Sequence, residues 1–191
     1  MTLANQVTAA RFVIGLIYFG VLVAGRQSGG TALMWVALGL FSVACFSDWL
    51  DGYLARRRGE ETDFGRIADP FVDKIVICGS FILFMEHDRL REFVAGWMVV
   101  VIVAREFLVH GIRAVAEARG IKFGASLWGK QKMVLQCAAV IGVLGHGALF
   151  GDVAFYGLLL RSTIYLMLFS TLLSGAIYVY DARRILIGRG V

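Results

Sequence analysis

The chain has 191 residues, of which 59% are hydrophobic and 17% charged, with a mean hydropathy of +0.75. A composition this apolar excludes an ordinary water-soluble globule, and at about 20 apolar residues per span the length leaves room for roughly six helices and no separate soluble domain. The net charge of +5 suits a basic face turned toward anionic lipid headgroups or phosphorylated substrates, and with the cations pinned at helix ends nucleic acid is not an expected partner.

In chain order, apolar segments fall at about 5–25, 31–55, 67–86, 93–118, 129–149 and 153–181. The first, "NQVTAARFVIGLIYFGVLVAG", follows no basic n-region and no small-residue cleavage site, so a retained helix is expected rather than a signal peptide. The breaks "RQSGG", "RRRGEETDFGR", "EHDRLRE", "ARGIKFGAS" and "HGALFGD" are too short to link domains. Basic residues concentrate in alternate breaks: Arg56, Arg57, Arg58 and Arg66, then Arg119, Lys122, Lys130 and Lys132, then Arg183, Arg184 and Arg189 in the tail. The positive-inside rule puts these on the cytoplasmic side. The expectation is an all-α integral membrane protein, a single domain over 1–191, with six transmembrane helices and both termini cytoplasmic. Cys45, Cys78 and Cys137 stand singly in apolar runs and read as small buried hydrophobes.

One stretch departs from the apolar pattern: "FSDWLDGYLARRRGEETDFGRIADPFVDK", Phe46 to Lys74. Asp48 and Asp51 stand at i and i+3, and Asp69 and Asp73 at i and i+4, so each pair shares a helix face. Pro70 suits an early helical position. Carboxylates at the edge of a membrane need a compensating cation or proton. Oxygen ligands without histidine or cysteine nearby favour hard ions, Mg²⁺ or Mn²⁺, and four carboxylates can hold two of them in the arrangement used for phosphoryl transfer. The alternative is a set of helix-cap and snorkelling charges. Against it, Asp48 and Asp51 would stand at the negative end of a helix dipole.

Read as a pattern, the stretch is D-x-x-D-G-x-x-A-R, eight residues, then G-x-x-x-D-x-x-x-D, filled by Asp48, Asp51, Gly52, Ala55, Arg56, Gly65, Asp69 and Asp73. It resembles the signature of the CDP-alcohol phosphotransferase family. The resemblance implies a six-helix membrane fold and transfer of a phosphatidyl or related group from a CDP-linked donor to an alcohol, with release of CMP. It further implies that Asp48, Asp51 and Asp69 ligate two Mg²⁺ or Mn²⁺ ions, with Asp73 beside them as ligand and general base. Gly52, Ala55 and Gly65 would leave room for the nucleotide, and Arg56 would reach its diphosphate, for which a guanidinium fork is suited. As purely structural residues, Gly65 is a turn glycine, Ala55 a helix former and Arg56 a topogenic charge. Asn5, Thr8 and Arg11 resemble the family's N-terminal N-x-x-T-x-x-R run, in which Arg11 helps to hold substrate phosphate. Otherwise Asn5 caps the first helix and Arg11 snorkels.

The acceptor must be read elsewhere. "IVAREFLVHGIRAVAEARG" places Arg105 and Arg113 eight residues apart, able to face one side, with Glu106 an alternative partner for Arg105. "GASLWGKQKMVLQ" sets Lys130 and Lys132 at a helix start, against the dipole, so either an external anion compensates them or they only set topology. Together these segments, with Gln136, resemble the phosphatidylglycerophosphate-synthesising branch of the family. Met133 departs from its pattern where a threonine is expected. The implied partners are CDP-diacylglycerol, glycerol 3-phosphate, its phosphate held by Arg105, Arg113 and Lys130, and membrane lipids. The implied place is a bacterial inner membrane with the active site at the cytoplasmic face. The 23 glycines permit close helix contacts and a homodimer. His87, His110 and His146 form no competing site. The other readings are another acceptor, inositol phosphate or phosphatidylglycerol, or a divalent-cation or proton transporter.

Overall fold

The computed structural model describes the backbone of residues 3–28, 31–58, 63–120, 127–150 and 153–186, and the side chains of 9–26, 31–47, 71–120, 129–149 and 153–183. The described residues form six α-helices and no strand: α1 (Leu3–Ser28), α2 (Thr31–Arg58), α3 (Asp63–Glu86), α4 (Gly96–Ala118), α5 (Leu127–Gly145), which runs into a π-helical turn at His146–Phe150, and α6 (Ala154–Leu186). Each apolar segment of the sequence is one helix. Boundaries move by up to five residues, at the end of α6, and α3 begins at Asp63 rather than near 67. Pro70 therefore lies in the helix body and not at its start, where it removes the N–H that would meet the carbonyl of residue 66. Likewise α1 begins at Leu3, so Asn5 lies within its first turn rather than at the cap. At the end of α4, Gly120 takes φ 71 and its N–H bonds to the carbonyl of Glu117 at 2.9 Å. A left-handed residue there closes the helix, and glycine adopts it without a Cβ penalty.

Cross-helix contacts set the directions of the rods. Arg11 meets Asp73, Tyr18 meets Ser80 and Arg26 meets Glu86, a nearly constant sequence offset, so α1 and α3 run parallel. Arg105 meets Ser174 and Arg113 meets Tyr178, so α4 and α6 also run parallel. Cys45 meets Cys137, and Met34 lies against Gly147, so α2 and α5 run antiparallel. One end of the bundle thus collects the start of α1, the end of α2, the starts of α3 and α5, and the ends of α4 and α6. That end carries all four signature aspartates, and His87 and His146 lie at the other.

The core is apolar and helically spaced: Tyr18 and Leu22 on α1, Met34, Ala37 and Phe41 on α2, Ile77, Phe81 and Phe84 on α3, Ile102 on α4, Val140 and Leu144 on α5, and Ile164 and Met167 on α6. Small residues let the rods close up. A Cβ on Gly79 would stand 2.4 Å from the Phe19 ring and one on Gly15 2.9 Å from Val76, so both glycines admit α1 against α3. The outer faces are apolar too, with Phe107 and Phe155 each 75% exposed. Water does not tolerate so continuous an apolar surface, whereas lipid does. Ala9–Arg26, Gly129–Leu149 and Ala154–Arg183 are each long and apolar enough to cross a bilayer. With the apolar outer faces, they mark a membrane-associated protein. The expectation of six spans goes beyond these three, which are the stretches of that kind among the described residues.

Candidate active site

The end of the bundle that carries the aspartates holds a cavity of about 230 Å³ walled by four helices. From α3 come Asp73, Lys74 and Ile77; from α4, Arg105, Glu106, Val109, His110 and Arg113; from α5, Gly129, Lys130, Lys132, Met133 and Gln136; from α6, Tyr178. The positions recur at three- and four-residue spacing on α4 and α5, so each helix offers one stripe to the cavity. Five cationic side chains face two carboxylates there.

Arg105, 8% exposed, is held on three sides. Its Nη1 donates to Glu106 Oε1 at 3.2 Å, its Nη2 donates to Ser174 Oγ at 3.0 Å, and its guanidinium lies 5.7 Å from the centre of the Tyr178 ring. The Arg113 guanidinium lies 5.3 Å from the centre of the same ring and donates from Nη2 to the Tyr178 hydroxyl at 2.6 Å. The expectation that Arg105 and Arg113 share a side holds, and a tyrosine on α6 ties them together. Room for this comes from Gly175, where a Cβ would stand 3.2 Å from Arg105 Cγ. Buried Arg105 Nε and Arg113 Nε have no hydrogen-bond partner among the described residues, donors that an anion in the cavity would satisfy.

Lys132 corrects the reading of the α5 start. The two lysines there had no evident internal counter-ion, but Lys132 is buried and ion-paired with Glu106 Oε1. Burial explains the partner: a charge removed from water requires one. Glu106 therefore serves two cations, Arg105 and Lys132, through one oxygen. Lys130, by contrast, is exposed at the cavity mouth. His110 Nδ1 lies 2.9 Å from Lys74 Nζ.

Asp73 joins this cavity to a smaller one of about 40 Å³ lined by Arg11, Phe41, Ala44, Cys45, Val76 and Cys137 among others. Arg11, buried on α1, reaches Asp73 Oδ1 from Nη1 at 3.4 Å. The thiols of Cys45 and Cys137, far apart in the chain, stand 3.6 Å apart and are only half-buried.

The side chains of Asp48, Asp51, Asp69 and Arg56, and the surroundings of Gly52, Ala55 and Gly65, lie outside the described residues. Their backbone is helical, in the last turns of α2 and the first of α3. That geometry keeps Asp48 with Asp51, and Asp69 with Asp73, on common helix faces. An all-carboxylate donor set of this kind fits a hard divalent cation.

The sequence profile described as CDP-alcohol phosphatidyltransferase matches residues 1–176. The chain belongs to the CDP-alcohol phosphatidyltransferase family. It is 35% identical over 161 residues to the CDP-diacylglycerol–glycerol-3-phosphate 3-phosphatidyltransferase of Bacillus subtilis (strain 168), covering 80% of this chain and 81% of that protein. To the Haemophilus influenzae protein of the same name it is 34% identical over 107 residues, 55% of this chain and 57% of that one. A probable phosphatidylglycerophosphate synthase of Mycobacterium tuberculosis is 34% identical over 141 residues, 73% of this chain and 61% of that protein. The family match includes α4, α5 and most of α6 as well as the aspartate stretch. It therefore spans Ser174 and Gly175, but Tyr178 lies just beyond it. Lys74, Ser174 and Tyr178 were not singled out from the sequence. The available signal was polar residues at i and i+4 within an apolar final helix.

Proposed function

We propose that this protein transfers the phosphatidyl group of CDP-diacylglycerol to glycerol 3-phosphate, giving phosphatidylglycerophosphate and CMP. The observation that carries this reading is the cavity beside Asp73 in which Arg105 and Arg113 are held around one tyrosine with Lys74, Lys130 and Lys132 nearby. A small phosphorylated alcohol is the acceptor such a cavity suits, and relatives whose printed names specify glycerol 3-phosphate support that choice.

In this reading Arg105, Arg113 and Lys130 bind the acceptor phosphate, and its primary hydroxyl is directed at Asp73. Asp73 accepts or steers the hydroxyl proton as the oxygen attacks the diacylglycerol-bearing phosphorus and the bond to CMP breaks. Arg11, against Asp73, orients that carboxylate. The donor lies over Gly52, Ala55 and Gly65 with Arg56 at its diphosphate. Two Mg²⁺ or Mn²⁺ ions held by Asp48, Asp51, Asp69 and Asp73 would supply charge neutralisation of the diphosphate and the leaving CMP.

The membrane placement follows from charge. Six helices spanning the bilayer as one domain, with both termini and the active site on the cytoplasmic side of a bacterial inner membrane, agree with the basic residues gathered at the aspartate end. The decisive experiment is an acceptor panel: purified protein in detergent, CDP-diacylglycerol, Mg²⁺ or Mn²⁺, and CMP release as the readout. Glycerol 3-phosphate is expected to support turnover. Release with inositol phosphate and none with glycerol 3-phosphate would refute the substrate assignment.

A further inference from the structure

Gln136 is 2% exposed on α5, one turn beyond Lys132, and lines the cavity that holds Arg105 and Glu106. Its Nε2 meets no hydrogen-bond acceptor among the described residues. A buried polar group in that state costs about 1–3 kcal/mol. Such a group is retained where a ligand completes it.

The chemistry of the amide narrows what that ligand atom is. Phosphate oxygens in this cavity have guanidinium and ammonium donors available, including the unpartnered Nε atoms of Arg105 and Arg113. A neutral amide adds little among those charges. What it offers, a donor and an acceptor on one planar group, matches a hydroxyl, which needs both. Glycerol 3-phosphate carries two hydroxyls. One is consumed as the nucleophile, and the secondary one must find a partner when the acceptor leaves water.

We infer that Gln136 is a specificity-determining residue that hydrogen-bonds the non-reacting hydroxyl of the acceptor. The inference rests on the reading of glycerol 3-phosphate as acceptor. A site built to bond a hydroxyl discriminates strongly against the analogue that lacks it, because the protein group is then buried unpaired.

The test compares sn-glycerol 3-phosphate with 3-hydroxypropyl phosphate, which lacks only the secondary hydroxyl, using CDP-diacylglycerol in mixed micelles and CMP release. Within one preparation the ratio of the two kcat/KM values is independent of how much enzyme is folded. Wild type is expected to favour glycerol 3-phosphate by about 10- to 100-fold. In Gln136→Met, of similar volume and without the amide, the ratio is expected to fall to within about threefold of unity, a residual set by packing alone. Gln136→Asn, which draws the amide back by one methylene, should give a reduced ratio and decides the matter if the methionine variant is inactive. A wild-type ratio near unity, or a ratio unchanged in the variants while both acceptors slow equally, overturns the inference. Wild-type turnover with a different acceptor and none with glycerol 3-phosphate overturns the substrate reading itself, and the inference with it.

Discussion

Tyr178→Phe removes one oxygen from the centre of the cation cluster and little else. The hydroxyl accepts from Arg113 Nη2 at 2.6 Å, while the ring lies under two guanidinium groups at 5.7 and 5.3 Å. A hydrogen bond to a charged group contributes about 1.5–3 kcal/mol, and 1.4 kcal/mol is tenfold in a binding constant. If the bond orients Arg113 toward the acceptor phosphate, Tyr178→Phe should raise the acceptor KM by about 10-fold, up to about 100-fold where orientation is wholly lost. Tyr178→Ala also removes the cation–π contacts, about 0.5–2 kcal/mol each, and should add at least a further several-fold. The assay is CMP release at saturating CDP-diacylglycerol with the acceptor titrated, repeated with the donor titrated at saturating acceptor. Combining Tyr178→Phe with Arg113→Ala should cost no more than Arg113→Ala alone, because residues acting through one contact are not additive. An unchanged acceptor KM in Tyr178→Ala, or a change confined to the donor KM, would refute the reasoning.

Other perturbations probe the remaining parts. Asp73→Asn and Asp69→Asn should each lower turnover by at least about 10²- to 10⁴-fold while the protein still elutes as a folded species in detergent; undiminished CMP release would remove them from the site. Arg105→Ala should raise the acceptor KM by about 10- to 100-fold with the donor KM unchanged, the loss of one charge-assisted phosphate contact, and a purely donor-side effect would misplace the acceptor. Glu106→Gln leaves two buried cations without their shared counter-charge, a change that costs about 3–5 kcal/mol, so thermal inactivation in detergent should move to clearly lower temperature; a variant as stable as wild type would show that Glu106 does not compensate them. Chelation by EDTA should abolish turnover and added Mg²⁺ or Mn²⁺ restore it, whereas full activity in excess chelator would exclude the divalent-ion requirement.

Much of this could be read along the chain because its causes are local. Apolar runs, each broken by a few polar or glycine residues, correspond one to one with α1–α6, since in an apolar setting the backbone must satisfy its own hydrogen bonds within each segment. Asp48 with Asp51 and Asp69 with Asp73 share faces by helical spacing alone, and the motif they belong to pointed to the family. Pro70 was misjudged because the boundary of α3 depends on how far a helix extends into a polar stretch, which local propensity decides poorly.

What required the fold was every partnership between helices. Whether Lys132 was compensated, which oxygen of Glu106 would serve, that Ser174 and Tyr178 would come from α6, and that Cys45 would meet Cys137 are questions of which rods run parallel and at what offset. No periodicity within one helix encodes that offset. Six apolar rods, a basic end and a carboxylate motif are legible along the chain because charge, spacing and hydropathy act over one or two turns. Packing between helices, with glycines such as Gly79 and Gly175 setting the close approaches, sets which cations are paired and which buried donors, Gln136 foremost, face the cavity without a partner among the described residues.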